Sequence, residues 1–352
     1  MRVALDAMGG DRAPGVNLEG GADALKRCPT LEKLILVGDR NTLEKEAPAH
    51  GLDLADPRVE VVHAPEVVGM SEPGAKTIRR KKQSSISVAM DLVKAGEAHA
   101  FVSAGNTGAC VAAAQLKLRL IPGIERAGIA SGLPNDYGSC HLLDAGANPE
   151  AKPSHLLGYA IMGSAFSSGV YGVEKPRVGL MSNGEEDEKG TAFTKQTFAL
   201  LKEFVATGRA PFEFIGNVEG HHLFDTRLDV CLCDGFVGNV VLKSCEATAK
   251  TLSKSLKAGL TASPLRKLGA LLARGAFVEL KEKMSAETYG GSPLLGVNGV
   301  VIIAHGGSTG LAIRNAIRTA VESVDQKVNQ HISDALELIK RAGLESPVTE
   351  PG

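Results

Sequence analysis

Short apolar runs recur along the chain, and most of them end in a cluster of glycine and small polar residues. Val3-Ala4-Leu5 enters Asp6-Ala7-Met8-Gly9-Gly10-Asp11, and Leu34 to Val37 enters Gly38-Asp39. Phe101-Val102 enters Ser103-Ala104-Gly105-Asn106-Thr107-Gly108, and His141-Leu142-Leu143 enters Asp144-Ala145-Gly146-Ala147-Asn148. The pattern returns before Asn183-Gly184, Gly216-Asn217, Asp234-Gly235-Phe236-Val237-Gly238-Asn239 and His305-Gly306. Stretches with helical spacing lie between, over about 16–26, 76–95, from Val240 onward, and through Ile313 and Ile317. Alternation of this kind predicts βαβ units and an α/β fold with a mainly parallel sheet buried on both faces. In such sheets ligands bind beyond the carboxyl ends of the strands. The polar strand ends are therefore expected to form one shared crevice at a single rim.

The stretch from Phe101 to Ala112 shows what that crevice would hold. Glycines at 105 and 108 allow a sharp turn and a close approach of backbone to ligand. Unpaired N–H groups and the positive end of the macrodipole at the start of the next helix suit an anion such as phosphate. A second departure from plain α/β patterning covers about 246–290. Leu252, Leu256 and Leu260 share one helical face, Thr261-Ala262-Ser263-Pro264 interrupts it, and Leu265, Leu268, Leu271 and Leu272 continue an apolar face. Eight Lys or Arg oppose two Glu between 250 and 283, a net charge of +6. A basic amphipathic hairpin suits an anionic membrane surface, or packing against a second copy of the chain. With no composition break elsewhere, residues 1–345 are read as a single α/β domain carrying this insertion, and 346–352 as a frayed tail.

Composition narrows the field. The formal net charge of −1 and the absence of Trp argue against a nucleic-acid partner. The N-terminus lacks a basic region followed by an apolar run, and no segment approaches the length of a membrane span, so a cytoplasmic setting is expected. The six cysteines sit mostly in apolar contexts and read as reduced and buried. There is no G-x-x-x-x-G-K-[ST] loop, no G-x-S-x-G elbow and no metal-ligand spacing; His221-His222 is too close a pair to chelate one ion readily. No metal and no cofactor is called for. The basic run Arg79-Arg80-Lys81-Lys82 is either a solvated face or a site for an acidic partner.

Asp6-Ala-Met-Gly-Gly-Asp11, Ser103-Ala-Gly-Asn-Thr-Gly108, Gly216-Asn-Val-Glu-Gly220, Asp234-Gly-Phe-Val-Gly-Asn239 and Pro293-Leu-Leu-Gly-Val-Asn-Gly299 together closely resemble the bacterial phosphate acyltransferase (acyl-acyl carrier protein:phosphate acyltransferase) family, over residues 1 to about 320. The resemblance implies a homodimeric α/β/α fold related to phosphotransacetylases and isocitrate-type dehydrogenases. It implies transfer of a fatty acyl group from acyl carrier protein to inorganic phosphate for phospholipid synthesis, and peripheral membrane attachment through the hairpin. Phosphate is already an oxyanion nucleophile, so no activated Ser or Cys is needed. On this reading Ser103, Asn106 and Thr107 hold phosphate, and Lys189 neutralises phosphate or the developing oxyanion. Asn183, Asn217 and Asn239 are fixed donors, with Asn239 among the catalytic set. Asp234 orients or shuttles a proton to the thiol sulfur, and His305 is a general acid. Asp6, Gly9, Gly10, Asp11, Asp144 and Asn148 complete the candidate substrate site, with Asp144 alternatively anchoring Asn148 and its loop. Leu265, Leu268, Leu271 and Leu272 are the candidate membrane contacts. A nucleotide-dependent dehydrogenase, or a non-catalytic acyl-carrier docking or membrane scaffold, are the alternatives.

Overall fold

A computed structural model describes residues 1–284 and 290–341. The tail expected at 346–352 lies outside the described residues, as does the 285–289 part of the insertion. The elements in the amino-terminal part are β1 (Arg2–Asp6), α1 (Gly15–Arg27), β2 (Lys33–Gly38), α2 (Arg40–Glu46), β3 (Val59–His63), α3 (Gly74–Arg80), α4 (Ser85–Lys94), β4 (Ala100–Ser103) and α5 (Thr107–Lys117). There follow β5 (Gly128–Asn135), β6 (Gly138–Leu143), α6 (Pro153–Tyr171), β7 (Arg177–Met181), α7 (Ala192–Ala206), β8 (Glu213–Val218), α8 (His222–Asp225) and β9 (Val230–Leu232). The chain closes with α9 (Gly235–Thr261), α10 (Pro264–Leu272), α11 (Arg274–Met284), β10 (Ser292–Leu295), β11 (Val300–Ile303), α12 (Gly310–Asp325) and α13 (Val328–Arg341).

One sheet of eleven strands, in the order β3-β2-β1-β4-β11-β10-β5-β6-β9-β7-β8, runs through the described residues. Side chains alternate across it with period two. Val3 and Leu5 pack with Leu34, Leu36 and the α1 and α12 residues Leu18, Ile313 and Ile317. Ala4, between them, faces the opposite layer with Ile35, Phe101, Met90 and Ala114 of α4 and α5. In the other half Leu143, Val178, Leu180 and Val230 meet α6, α7 and α13, while Cys140, Leu142 and Cys231 meet α8 and the start of α9. Each half is thus three layers, α/β/α. Fully burying one such Leu or Val side chain stabilises by roughly 1.5–3 kcal/mol, so these stripes fix the layering.

Seven of the ten strand pairings are parallel and three antiparallel. The three antiparallel ones are consecutive: β11 with β10, β10 with β5, and β5 with β6. They reverse the sheet. β3, β2, β1, β4 and β11 run one way, and β6, β9, β7 and β8 run the other. Carboxyl ends therefore fall on two opposite edges, which corrects the expectation of a single rim. The reversal was hidden because β5 carries Gly128, Gly132 and Pro134, and β10 is only Ser292–Leu295.

The hairpin breaks where expected, between Thr261 and Pro264, with Ser263 capping α10 through the Arg266 N–H at 3.3 Å. Its boundary differs, however. α9 is continuous from Gly235, so residue 246 lies in mid-helix rather than at the start of an insertion.

Candidate active site

A cleft of about 540 Å³ lies on one face of the sheet over the reversal. Ile129 and Ser131, two apart on β5, point into it, and Ser131 meets Ser292 of β10 at Oγ–Oγ 3.2 Å. Diagonally across these strands the cleft joins the end of β11 (Ile303, Ala304, His305) to the end of β6 (Ala145, Gly146). Thr107 and Gly108 open α5, Gly235 and Phe236 open α9, and Ser308 precedes α12; all five line it. Each of these helices is capped by a side chain on its third amide: Asn106 on the Ala109 N–H (3.0 Å), Asp234 on Val237 (2.8 Å) and Thr309 on Ala312 (3.3 Å). Three positive helix ends thus converge on one cavity, an arrangement that attracts anions. Phe236, Leu242 and Ile129 supply apolar wall alongside it.

The structure divides the expected site residues. Thr107, Asn239 and His305 line the cleft, and Asp234 sits at its edge as the α9 cap. Gly307 donates its N–H to His305 Nδ1 at 3.0 Å, which leaves the proton of the neutral ring on Nε2. Asn106 does not offer its side chain to a ligand: its amide nitrogen already faces the carbonyls of Gly69 (3.2 Å), Met70 (3.1 Å) and Glu72 (2.8 Å), and so straps the 69–72 loop to α5. Ser103 is likewise committed: its hydroxyl donates to Asp6 Oδ2 at 2.6 Å and accepts the Gly105 N–H at 2.9 Å. Both expectations are corrected for the same reason, that fold-forming partners saturate these groups. Asp6 is fully buried, and burial pushes its pKa up against the hydrogen bonds from Ser103 and Ser85. Gly9 lies against Gly105, where a Cβ would stand 2.7 Å from the Gly105 nitrogen, and Gly10 lies against Gly306 and Ala104. The Asp11 N–H bonds Gly306 O at 2.8 Å. This first loop therefore buttresses the cleft from behind.

Asp144 anchors its own loop, the alternative role considered for it. Oδ1 accepts the N–H groups of Ile129, Gly146 and Ala147 at 2.9–3.0 Å, and Oδ2 accepts that of Asn148 at 2.7 Å. Burial raises its pKa while these donors oppose the rise. Asn148 bridges Ala127 O (2.6 Å) and Tyr159 Oη (2.8 Å). Asn183, Lys189 and Asn217 do not line the cleft. Asn217 is buried and donates to Glu186 O at 2.8 Å; Asn183 and Lys189 are exposed on the loop after β7, the strand beside β9. Nearby, Glu185, His221 and His222 bring ligand atoms within 4.8 Å of one another, but the Glu219 N–H bonds His222 Nδ1 at 2.9 Å and so sets the ring proton on Nε2, facing Glu185 at 3.4 Å. That geometry is a polar contact between ring and carboxylate.

No cysteine is activated. All six are free, and burial raises the thiol pKa of each, Cys110 to about 12 and Cys233, behind the Asp144 loop, well above its ordinary value. The cleft therefore offers positive helix ends, amide donors and an imidazole without a thiolate nucleophile.

Residues 1–331 match the family model described as fatty acid synthesis protein. A phosphate acyltransferase of Akkermansia muciniphila is 56% identical over 336 residues, covering 96% of both chains, and one of Geobacter sulfurreducens is 48% identical over 340 residues, covering 96% of this chain and 94% of its own. The chain belongs to the phosphate acyltransferase family. It is an acyltransferase. Among solved structures, a phosphotransacetylase from Streptococcus pyogenes superposes with a TM-score of 0.58 at 15% identity, covering 92% of this chain and 94% of its own. The EutD phosphotransacetylase from Staphylococcus aureus gives 0.56 at 14% identity, with the same coverage. These place the acyltransferase on the phosphotransacetylase fold.

Two charged cleft residues of the acyltransferase escaped the sequence reading, Lys243 and Glu246. A signal for them existed: Phe236, Asn239, Lys243 and Glu246 recur at three- and four-residue steps, one continuous face of α9, and all four line the cleft. Lys243 Nζ lies 2.8 Å from Glu246 Oε2, and His305 Nε2 lies 4.0 Å from the same oxygen.

Proposed function

We propose that this acyltransferase moves a fatty acyl group from the thioester of acyl carrier protein to inorganic phosphate, giving an acyl phosphate for phospholipid synthesis. The observation that carries this reading is the convergence of the α5, α9 and α12 amino ends on one cleft that also holds His305, Asn239 and apolar wall. A phosphate oxygen attacks the thioester carbon, a tetrahedral oxyanion forms, and the carbon–sulfur bond breaks to release the thiol. Backbone N–H groups at Thr107 and Gly108 with the Thr107 hydroxyl hold phosphate. The Asn239 amide donates to the oxyanion, and His305 Nε2–H hydrogen-bonds the departing thiolate, while the P–OH proton shed as the acyl phosphate forms completes the thiol. Asp234 caps α9, the helix that carries Asn239, and so fixes where that donor stands.

The raised thiol pKa values support direct attack by phosphate over a cysteinyl intermediate. The exposed leucines of α10 (Leu265 79% and Leu272 82% accessible) and the flanking basic residues support attachment to an anionic membrane surface, with α9 available for pairing with a second copy of the chain. Purified protein mixed with acyl-acyl carrier protein and phosphate is expected to yield acyl hydroxamate on trapping with hydroxylamine, and Asn239→Ala to slow its formation on the order of 100-fold. Thioester consumed without trappable product, or nicotinamide absorbance changing during turnover, would overturn the reading.

A further inference from the structure

We infer that Glu246 makes the anion site of the cleft select phosphate over fully ionised oxyanions of the same shape, such as sulfate, by accepting the proton that only phosphate still carries. The inference rests on the acyl-transfer reading for the identity of the anion, but its geometry stands alone. Three ionisable side chains line the cleft among the described residues: Lys243, Glu246 and His305. Lys243 and His305 both face Glu246 Oε2, at 2.8 and 4.0 Å, so the two positive or proton-bearing groups of the cavity flank a single carboxylate. Asp11 stands just behind, its carboxylate oxygens 3.5 and 3.6 Å from where a Cβ on Gly306 would lie.

A carboxylate at an anion site is repulsive unless the anion brings a hydrogen-bond donor. Like charges in contact at a binding site cost several kcal/mol, whereas an O–H···O⁻ bond to a carboxylate is short and strong. Near neutral pH phosphate retains at least one P–OH, and sulfate retains none. Glu246 Oε1 has no donor among the described residues, so it is the free acceptor for that P–OH while Lys243 takes an ionised oxygen. Sites built around such a bond reject the analogue that cannot make it far more strongly than a shape-matched pocket rejects an isostere. The same residue explains why a cleft open to solvent, with His305 63% exposed, need not fill with any passing dianion.

The test measures binding of inorganic phosphate and of sulfate by calorimetry in the absence of acyl donor, with sulfate inhibition of turnover alongside. Wild-type protein is expected to prefer phosphate by at least about tenfold, the scale of one lost charged hydrogen bond. In Glu246→Gln that preference collapses, chiefly through tighter sulfate binding, because an amide donates as readily as it accepts. Glu246→Asp retains it, and Lys243→Met weakens both anions in parallel. An unchanged ratio in Glu246→Gln overturns the inference. So does wild-type protein that binds sulfate as tightly as phosphate, a result that needs no variant to fold. Failure to form acyl hydroxamate in the same preparations would defeat the acyl-transfer reading while leaving the anion preference measurable; hydroxamate with an unchanged ratio would defeat the Glu246 assignment alone.

Discussion

His141 shows how strongly position overrides residue type. It is buried on β6 with its ring 5.2 Å from Phe166 and 4.9 Å from Tyr171, and burial pulls its pKa down to about 4. As pH falls from about 6.5, the unfolded chain takes up a proton that the folded chain refuses until about 4, so stability is lost across that window. At about 1.4 kcal/mol per pH unit the loss reaches up to about 3 kcal/mol. His141→Phe, which keeps a ring among rings, is therefore expected to flatten the decline in melting temperature between pH 6.5 and 4 relative to wild type. A variant that tracks the wild-type curve would show that the ring titrates normally. Legibility in sequence is uneven at this scale. Asp144 and Asn148 were recognised as a possible anchored pair because a carboxylate four residues before an amide has obvious local partners. Asn106 was taken for a ligand-binding group, since its three carbonyl partners lie 34 to 37 residues away and no local pattern reports them.

Among the elements, α9 carries the most. Its first half walls the cleft, its second half leaves the body with α10, and its start is locked by contact. A Cβ on Gly238 would lie 1.9 Å from Asp144 O and 2.9 Å from Cys233 Sγ, whereas one on Gly259 would meet nothing within 4 Å. The two glycines predict opposite outcomes on one helix. Gly238→Ala forces α9 off the β6 loop and is expected to cost about 3 kcal/mol or prevent folding. Gly259→Ala gains helix propensity and should stabilise by up to about 1 kcal/mol. Denaturant melts of both variants check the pair; similar midpoints would mean that α9 does not seat on Asp144. Further along, replacing Leu268, Leu271 and Leu272 with Asp removes the apolar face of α10. These side chains are 55–82% exposed, so folding stability should change little, within about 0.5 kcal/mol per site. Binding to anionic vesicles in flotation should fall sharply, and unchanged flotation would reject α10 as the anchor. The apolar period of the hairpin was visible in sequence because its faces are exclusively leucine. The helix was legible from Val240 onward, but the place of Lys243 and Glu246 on its cleft face was not, because Lys and Glu three residues apart on a helix have the form of any surface pair.

Across the whole molecule, the layering and most strand positions follow from the alternation of apolar runs, but the arrangement of the site does not. The sheet reverses through β5 and β10, two strands whose glycines, proline and brevity mask them, and no local pattern states that their pairing turns half the sheet around. The consequence is functional. In a sheet with one rim, a ligand would touch loops of successive parallel units; here the cleft lies across β11, β10, β5 and β6, between two halves that run in opposite directions. Thr107 and His305 thus line the cleft from one half, and Gly146 and Asn239 from the other. Ligand binding stabilises the folded state by about 2.7 kcal/mol at a hundredfold excess over Kd. Because the cleft draws its walls from both halves, that stabilisation is expected on both sides of the reversal. Hydrogen exchange with saturating phosphate should slow in the start of α5 and in the loop from Asp144 to Asn148 together, by comparable factors. Protection confined to α5 would place phosphate wholly on the amino-terminal half and leave the other half to hold only the acyl thioester.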